Sequence, residues 1–495
     1  MNPGEQIEPL PDIDFNIRAG NTLVGLVTRD EVKHAIGSKL DFDNTLQAIE
    51  EKAELVEKAF RRFRQVQTHF GIEPAQFGEA KADLRGRLDK LRRELDGYLA
   101  GEYGIDSAAG PEFARWRASH HPFHWFVEFY GIMRGGGFDV IVGNPPFVEY
   151  RKVRSQYTIK RFVTESCANL YAFVMERSAH LIHQAGHFGL IVPIAAIRVS
   201  ETGTLRELLK KQFSSLWLSN YAIRPAKLFE GVEQRLTIAI GQADNAHGHR
   251  IYSTKYNQWY VEERPYLFQK LAYCEVTTLS DGEYIPKVGD DLLLSVVRKV
   301  QESKGSVIGQ YLVNESEIPL FFHRTPGYWI RIMDFQPYFK SPTHDRSIHH
   351  IRELHVGKVA DLKVVGAILS SSMYFAWFFA VGNCRNLTLE DVKLFPFGTV
   401  SDVTGALAAR LFDELMADYK KNSVVRYRGE TEFQEFDWAV SKSIVDQIDA
   451  AIGPYYGLTR EEVDYVKSYD IKIRLGRDAL ELDEENETPE ANTPN

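Results

Sequence analysis

Cysteine is scarce in this sequence. The 495 residues contain only Cys167, Cys274 and Cys384, and these lie far apart. They form no CxxC pair and no other spacing typical of a zinc site, and isolated thiols are typical of proteins in a reducing compartment. The sequence therefore predicts no disulfide, no metal site and a cytoplasmic location.

Long hydrophobic runs are also missing. No apolar stretch reaches the roughly 18 residues that a membrane-spanning helix needs, and the first ten residues lack the basic start and apolar core of a signal peptide. Hydrophobic residues make up 44% of the chain and charged residues 26%, as in ordinary globular proteins. We therefore expect two or three folded domains and no membrane partner.

The chain has no overall positive charge. Its formal net charge is −9, and residues 481–490 are strongly acidic. An acidic terminus is typical of a solvated, disordered tail. A nucleic-acid-binding surface would therefore have to be a local basic patch.

Alternating strand and helix patterns predict an α/β fold. Residues 138–143 form an apolar, β-branched run that ends in glycine, which is typical of a buried strand in a parallel sheet. Further elements follow in alternation: helices at 169–185 and 204–213, and strands at 188–193, 216–221 and 236–241. Together with a short strand and turn at 9–26, they predict a doubly wound sheet across residues 12–245.

Other segments have different patterns. Helical spacing over residues 46–70 and 77–99, with a turn at 71–74 between them, predicts an antiparallel helical hairpin. The closely spaced His120, His121 and His124 lack acidic or cysteine ligands at matching spacing, so we expect aromatic packing there instead of a metal site. Beyond about residue 250 the aromatic-rich, mixed pattern predicts an α+β domain, with an apolar helix at 362–379.

The strongest chemical signal is Asn144-Pro145-Pro146-Phe147, the NPPF motif, directly after the strand at 138–143. Ligands of open α/β sheets bind at the carboxyl ends of strands. The exocyclic amine of adenine is a poor nucleophile, and an amide oxygen with a rigidly held carbonyl can accept its two hydrogens. Asn144 and Pro145 offer these acceptors, while Phe147 offers a stacking face. A plain turn after a strand is the alternative.

Residues 136–150 resemble motif IV of the amino-methyltransferases, in the form found in large type II (type IIG-like) restriction-modification enzymes and phage-defence methylases. Other segments resemble the same family in the same order: residues 169–173, 186–193, 224–235, 385–388 and 395–397. The resemblance implies an N6-adenine DNA methyltransferase with a partial Rossmann-like sheet and an α+β target-recognition domain. It also implies S-adenosyl-L-methionine as the cofactor. The implied substrate is double-stranded DNA, from which the target base is flipped out.

The resemblance assigns further site residues. Phe229 matches the aromatic residue that stacks on the other face of the flipped adenine, although a core phenylalanine is the alternative. Asn21, in a segment that resembles the one before motif IV, matches a residue that hydrogen-bonds the adenine ring of the cofactor. The basic residues after the motif are candidates for phosphate contacts or a solvated surface: Arg151, Lys152, Arg154, Lys160 and Arg161.

The resemblance and the patterns together divide the chain into six regions. These are the start of the methyltransferase domain with a motif III-like strand (1–27), a helical insertion (28–130), the catalytic domain with motifs IV to VIII (131–248), the target-recognition domain (249–400), a C-terminal helical region (401–478) and the acidic tail (479–495).

A glycine-rich loop that follows a strand and opens a helix is not found in this sequence, nor is the acidic residue that ends the next strand in such cofactor sites. The family places both before motif IV, and few residues precede Asn21. Three explanations stay open. A partner subunit carries the glycine-rich motif, the chain is a fragment of a longer reading frame, or it binds DNA without methyl transfer.

The sequence thus predicts a site-specific DNA adenine-N6 methyltransferase component of a restriction-modification or phage-defence system. The alternatives are a non-catalytic target-recognition subunit of such a system, and a related methyltransferase acting on RNA or on a protein glutamine. No Pro-Asp followed by Glu-x-Lys or Asp-x-Lys stands at a suitable distance, so we expect no nuclease activity.

Overall fold

The structure is a computed structural model. It describes residues 15–37, 42–68, 74–198, 200–244, 248–280, 284–303, 305–317, 319–327, 329–342, 351–397 and 402–475. The predicted acidic tail and most of the predicted turn at 71–74 lie outside these ranges. The chain divides into two compact units: unit 1 comprises Met1–Val192, Glu201–Leu216 and Ala239–His249, and unit 2 comprises Pro193–Ser200, Trp217–Ile238 and Arg250–Asn495.

Unit 1 begins with a helical region. Its helices are α1 (Arg29–Ile36), α2 (Phe42–Thr68), α3 (Pro74–Glu102), α4 (Gly110–His120), α5 (Trp125–Glu128) and α6 (Tyr130–Arg134). Apolar residues at helical spacing, including Ile49, Phe63 and Leu88, form one buried core between these helices. Lys52 on α2 and Glu94 on α3 form an ion pair at 2.7 Å. The predicted helical hairpin is confirmed.

Of the three histidines before the first strand, His120 packs among aromatic rings, as predicted, whereas His121 is exposed and His124 is held by hydrogen bonds. His120 stacks on Trp116 with ring centroids 5.4 Å apart. The Nδ1 atom of buried His124 accepts the Leu26 N–H at 3.2 Å, and its Nε2 lies 3.0 Å from the Asp96 carboxylate. Within the described ranges, no group of three or more His, Cys, Asp or Glu side chains is placed to hold a metal ion.

A six-stranded mixed sheet follows, which confirms the α/β class. Its strands are β1 (Phe138–Gly143), β2 (Ile182–Pro193), β3 (Ser215–Tyr221), β4 (Leu236–Gln242), β5 (Arg250–Asn257) and β6 (Cys274–Glu275), in the order β1-β2-β4-β3-β5-β6. The edge strand β1 pairs with β2 in parallel, and β5 pairs with β6 antiparallel. Helix α7 (Leu170–Leu181) connects β1 to β2, and α8 (Gly203–Gln212) connects β2 to β3.

Three sequence expectations for this region need correction. Strand β1 is not buried, because it lies at the sheet edge and exposes Val140 and Val142. The helix predicted at 169–185 ends at Leu181, since Ile182 already pairs with Phe138 in the sheet. The strand predicted at 9–26 lies partly outside the described residues, and its described part consists of turns with one bridge, Asn21 to Pro122.

Unit 2 contains the remaining elements. Its helices are α9 (Asp291–Glu302), α10 (Val359–Ser370), α11 (Ser372–Val381), α12 (Leu389–Lys393), α13 (Asp402–Lys421), α14 (Lys442–Ile452), α15 (Arg460–Ser468) and α16 (Ile471–Leu475). Its further strands are β7 (Leu320–His323), β8 (Ile332–Met333), β9 (Phe339–Lys340), β10 (Ile351–Leu354), β11 (Ser423–Arg428) and β12 (Thr431–Phe436). They form two three-stranded sheets, β10-β7-β8 and β11-β12-β9.

The helix predicted at 362–379 is two helices, α10 and α11. Ser371 separates them because it has extended backbone angles and its hydroxyl caps α11 by accepting the Tyr374 N–H at 3.0 Å. Every residue of α11 is buried. In the described part of the chain no single helix is long and apolar enough to cross a membrane. One pair of helices, Asp361–Ser370 with Ser372–Val381, is long and apolar enough when taken together, but it is bent by 66°.

Candidate functional site

The NPPF motif lies at the carboxyl end of β1, immediately after Gly143. The structure exposes Asn144 to solvent, buries Pro145 and half-buries Phe147. The two prolines fix two successive φ angles, so the backbone around the exposed amide has little freedom. An exposed amide, a rigid backbone carbonyl and an aromatic ring are therefore presented together on one short segment.

Helix α7 supports the chain that follows the motif. The Leu170 N–H donates to the Val148 carbonyl at 2.9 Å, and the Tyr150 N–H donates to the Ala168 carbonyl at 2.9 Å. The Tyr150 hydroxyl accepts the Ile159 N–H at 2.8 Å. A small apolar core completes this support with Leu23, Tyr150, Ile159, Phe162, Leu170 and Phe173. The segment after the motif is thereby held at both ends.

Glu176, on α7, is a buried acid whose carboxylate binds the chain segment that follows the motif. Its carboxylate accepts the Val163 and Thr164 N–H groups at 3.0 and 2.9 Å and the Thr164 hydroxyl at 2.6 Å. Three donors on one buried carboxylate satisfy most of its hydrogen-bonding capacity. The sequence reasoning missed Glu176, although a glutamate directly after the apolar and aromatic residues 170–175 of α7 was the available signal.

Asn169 precedes α7 and was also missed as a separate site residue. Its side-chain Oδ1 is buried and has no hydrogen-bond donor within reach among the described residues. Its side chain does not cap α7, although it stands at the N-cap position. Residue 169 pairs in an isolated bridge with Glu149, two residues after the motif. A buried acceptor without a donor is uncommon and marks this end of the motif segment.

The basic residues after the motif differ in their contacts. Arg151 pairs with Glu149, which holds the pKa of that carboxyl below its usual range. Lys160 donates to the Glu102 carbonyl at 2.6 Å and lies 4.8 Å from the centre of the Tyr103 ring. Burial raises the pKa of Tyr103 to about 12, so this ring stays neutral.

The remaining members of this basic cluster are exposed. Lys152 and Arg154 face solvent, and Arg161 lies 3.4 Å from a Glu102 carboxylate oxygen. Lys152 and Arg154 are therefore the members best placed to reach a phosphate.

Phe229 lies in unit 2, in the loop between β3 and β4, and 37% of it is exposed. The loop is fixed from outside by Arg264, whose guanidinium donates to the Lys227 carbonyl at 3.1 Å and the Leu228 carbonyl at 2.8 Å. Lys227 also pairs with Glu233 at 2.7 Å. An exposed ring on a loop with such anchors can stack on a flat ligand.

Asn21 lines a cavity of about 490 Å³ in unit 1. Its Oδ1 accepts the Leu23 N–H at 3.1 Å, so this oxygen is already engaged within its own turn. The cavity wall includes Arg92, Asp96 and Arg117, and the last two form an ion pair at 2.6 Å.

A charged, internally paired wall does not fit the largely apolar pocket that a bound adenosyl group needs. The 495 residues also contain no glycine-rich loop that opens a helix after a strand. The residues around Asn21 therefore do not form a site for S-adenosylmethionine by themselves.

Comparison with known proteins gives a family match and a curated relative. Residues 80–228 match the family model described as Eco57I restriction-modification methylase. A protein of Methanocaldococcus jannaschii named "Putative type II restriction enzyme and methyltransferase" is 25% identical over 260 residues, which cover 45% of this chain and 21% of that protein. The chain thus spans about a fifth of the length of this relative.

Solved structures of restriction-modification enzymes resemble the chain only distantly. The type IIL enzyme MmeI in complex with DNA has 13% identity and a TM-score of 0.37, with 66% of this chain and 56% of that chain covered. A nuclease-deletion mutant of the type ISP enzyme LlaGI with a DNA substrate mimic has 9% identity and a TM-score of 0.36, with coverage of 65% and 47%.

Proposed function

We propose that this chain is the base-binding component of a site-specific DNA adenine-N6 methyltransferase in a restriction-modification or phage-defence system. The observation that carries the proposal is the NPPF motif, with Asn144 exposed, at the carboxyl end of β1 and inside the segment that matches the methylase family. S-adenosylmethionine would be the methyl donor. We expect the component to act on double-stranded DNA in the cytoplasm.

The residues of this chain would hold and orient the adenine amine. The Asn144 amide oxygen and the Pro145 carbonyl would each accept one N6 hydrogen, which favours a tetrahedral nitrogen with its lone pair directed outward. Phe147 would stack on one face of the flipped base, and we propose Phe229 for the other face. Lys152 and Arg154 would contact backbone phosphates, positioning the duplex without reading its sequence.

A non-catalytic target-recognition subunit is the second candidate. It is favoured by the poor fit of the residues around Asn21 to S-adenosylmethionine, because a chain without a complete cofactor site could bind DNA alone. The two candidates differ in whether methylation appears once a cofactor-binding polypeptide is supplied.

The test is methylation of genomic DNA in a methylation-deficient host. The chain is expressed together with the products of its neighbouring genes, and N6-methyladenine is mapped by single-molecule sequencing. Asn144→Ala should lower the methylated fraction by on the order of 100-fold or more, since it removes a hydrogen bond to the reacting group. Because Asn144 is exposed, the Asn144→Ala variant should have the same thermal midpoint as the unchanged chain.

Asn314→Ala is the matched control, since Asn314 is an exposed asparagine of unit 2 outside the proposed site. It should methylate as the unchanged chain does. Full methylation by Asn144→Ala would refute the role of the motif. DNA binding without any methylated adenine would favour the recognition subunit, and methylation confined to RNA or protein would refute the DNA substrate.

A further inference from the structure

Unit 2 contains a cavity of about 420 Å³ that is bordered by both of its three-stranded sheets. The sheet β10-β7-β8 contributes His323 and Ile351, which are paired partners in adjacent strands. The sheet β11-β12-β9 contributes Phe339 and Phe433, which are also paired partners. Small-molecule sites commonly have volumes of about 300–1,000 Å³. We name this space the sheet cavity. Its described lining residues include none of those proposed to contact the target base.

The sheet cavity is lined by cations and not by acids. Arg331 and Arg428 both border it, whereas none of its described lining residues is an aspartate or a glutamate. This contrasts with the whole chain, whose formal net charge is −9. A concave surface lined by charges of one sign attracts ligands of the opposite sign. The sheet cavity is therefore suited to an anion.

Arg331 is a largely buried cation without an anionic partner. In the part of the chain that the structure describes, no carboxylate lies within ion-pair distance of its guanidinium. Its Nη2 donates to the Thr325 carbonyl at 2.8 Å, the guanidinium lies 5.0 Å from the centre of the Trp438 ring, and the buried Nε has no acceptor within reach among the described residues. Burial lowers the pKa of Arg331 to about 10, so it still carries its charge at neutral pH. Because buried charges are ordinarily paired, Arg331 favours a bound anion.

Arg428 brings a second guanidinium to the sheet cavity. It is the exposed last residue of β11 and pairs in register with Thr431 at the start of β12. Among the described residues it has no ion-pair partner either. A guanidinium carries its N–H donors in a planar fork, which matches the oxygens of a phosphate. Since a phosphate has enough oxygens to accept from both arginines, we take it as the anion that suits this pair.

The apolar part of the wall suits a flat ring. Phe339 and Phe433 lie side by side on one face of their sheet, both half-buried, and Tyr338 adds a third aromatic ring. Nucleobases stack on aromatic side chains of this kind. The Thr431 hydroxyl and the His323 ring also border the cavity and can bond to the polar edge of a base. An inorganic anion would leave these rings without a ligand, whereas a nucleotide provides a phosphate, a flat ring and a polar edge together.

We propose that the sheet cavity binds a free mononucleotide, with the phosphate at Arg331 and Arg428 and the base against Phe339 and Phe433. This site goes beyond the proposed function, because it lies in unit 2 and the NPPF motif lies in unit 1. Bases within a duplex are stacked and paired, so an intact duplex could not place one against these rings. The ligand is therefore a small molecule and not the DNA substrate.

Titration calorimetry of the full chain with the four ribonucleoside 5′-monophosphates tests the site. We expect at least one of them to bind. Its nucleoside and inorganic phosphate should each bind at least about tenfold more weakly, because each lacks one of the two sets of contacts. A duplex oligonucleotide should not displace the bound nucleotide.

Substitutions separate the two parts of the site. Arg331→Met and Arg428→Met should each weaken nucleotide binding by at least about tenfold, since each removes charge-assisted hydrogen bonds to the phosphate. Arg298→Met is the matched control, because Arg298 is an exposed arginine of unit 2 on α9 that does not line the cavity. Phe433→Leu should weaken binding of the nucleotide and leave binding of inorganic phosphate unchanged. Because Arg428 is exposed, the Arg428→Met variant should keep the thermal midpoint of the unchanged chain.

Several outcomes would overturn the proposal. These are no binding of any of the four nucleotides, equal affinities in Arg428→Met and Arg298→Met, inorganic phosphate binding as tightly as the best nucleotide, or displacement of that nucleotide by duplex DNA. Loss of nucleotide binding in Arg428→Met at an unchanged thermal midpoint would support it, even if Arg331→Met does not fold. The methylation experiment with Asn144→Ala is independent of these results, so either proposal can fail while the other stands.

Discussion

At the scale of single residues, side chains outside the NPPF motif position the segments that the proposed site uses. Arg264 bonds two successive carbonyls, those of Lys227 and Leu228, just before Phe229. The sequence indicated Phe229 through its resemblance to a family loop, but nothing in the spacing connected position 264 to position 229. Long-range hydrogen bonds to main-chain carbonyls leave no local pattern, so this support could not be predicted.

Arg264→Met should loosen the Phe229 loop without unfolding unit 2. Each lost hydrogen bond contributes about 1 kcal/mol, and Arg264 is exposed, so the thermal midpoint should change little. If Phe229 stacks on the target base, the KM for DNA should rise several-fold while kcat falls less. Arg264→Lys, which can still donate to one carbonyl, should recover part of this loss.

Lys270→Met provides the comparison, because Lys270 is an exposed cation whose ammonium pairs at 3.1 Å with Glu263, a residue outside the loop. Steady-state methylation of a mapped target duplex is the measurement. An unchanged KM in Arg264→Met would show that Phe229 does not depend on this anchor.

At the scale of secondary-structure elements, periodicity predicted most helices and strands but not their surroundings. The run at 138–143 is a strand, as expected, yet its composition suggested burial and it is exposed. A β-branched run has the same composition at the edge of a sheet as in its interior. The composition of residues 138–143 therefore did not predict their exposure.

The β11–β12 hairpin was missed for a different reason. Strands 423–428 and 431–436 are rich in β-branched and aromatic residues and flank Gly429, which has a positive φ of 61°. That pattern is typical of a hairpin, but residues 401–478 were expected to be helical. The turn glycine was the signal that could have identified it.

On helix α7, the buried Glu176 is expected to stabilise the fold. Glu176→Ala would leave two main-chain N–H groups and the Thr164 hydroxyl without their acceptor. Because each buried, unsatisfied polar group costs about 1–3 kcal/mol, we expect the free energy of unfolding to fall by roughly 2–4 kcal/mol. Urea unfolding measures the change, and Glu165→Ala is the control, since Glu165 is an exposed acid in the same segment. Equal midpoints for the two variants would contradict the role of Glu176.

At the scale of the whole molecule, the chain combines a helical hairpin, a six-stranded α/β sheet and a mixed region in unit 2. The order of these parts could be predicted, because periodicity and the position of the NPPF motif are local properties of the sequence. The bend between α10 and α11 was missed, although the three serines at 370–372 interrupt the apolar run and were the available signal. Buried charges leave no such signal in the sequence, although they control how the stability of the molecule depends on pH.

Asp449 on α14 is the clearest of these buried charges. Burial raises its pKa to about 6 from 3.8, although the Ser372 hydroxyl, the Met373 N–H and Arg474 act in the opposite direction. The folded state therefore binds this proton more tightly than the unfolded state. The resulting stabilisation is fully present below about pH 4 and is lost as the pH rises through 6, by at most about 3 kcal/mol.

Asp449→Asn should remove this contribution while its side-chain oxygen still accepts the Met373 N–H, which donates at 3.2 Å to the carboxylate. Between pH 4 and pH 6.5 the thermal midpoint of the unchanged chain should fall as Asp449 ionises. This contribution to the fall should be absent in Asp449→Asn. Asp464→Asn changes an exposed carboxylate on α15. Its thermal midpoint should change with pH by the same slope as that of the unchanged chain. The same slope in all three proteins would show that Asp449 ionises alike in the folded and unfolded states.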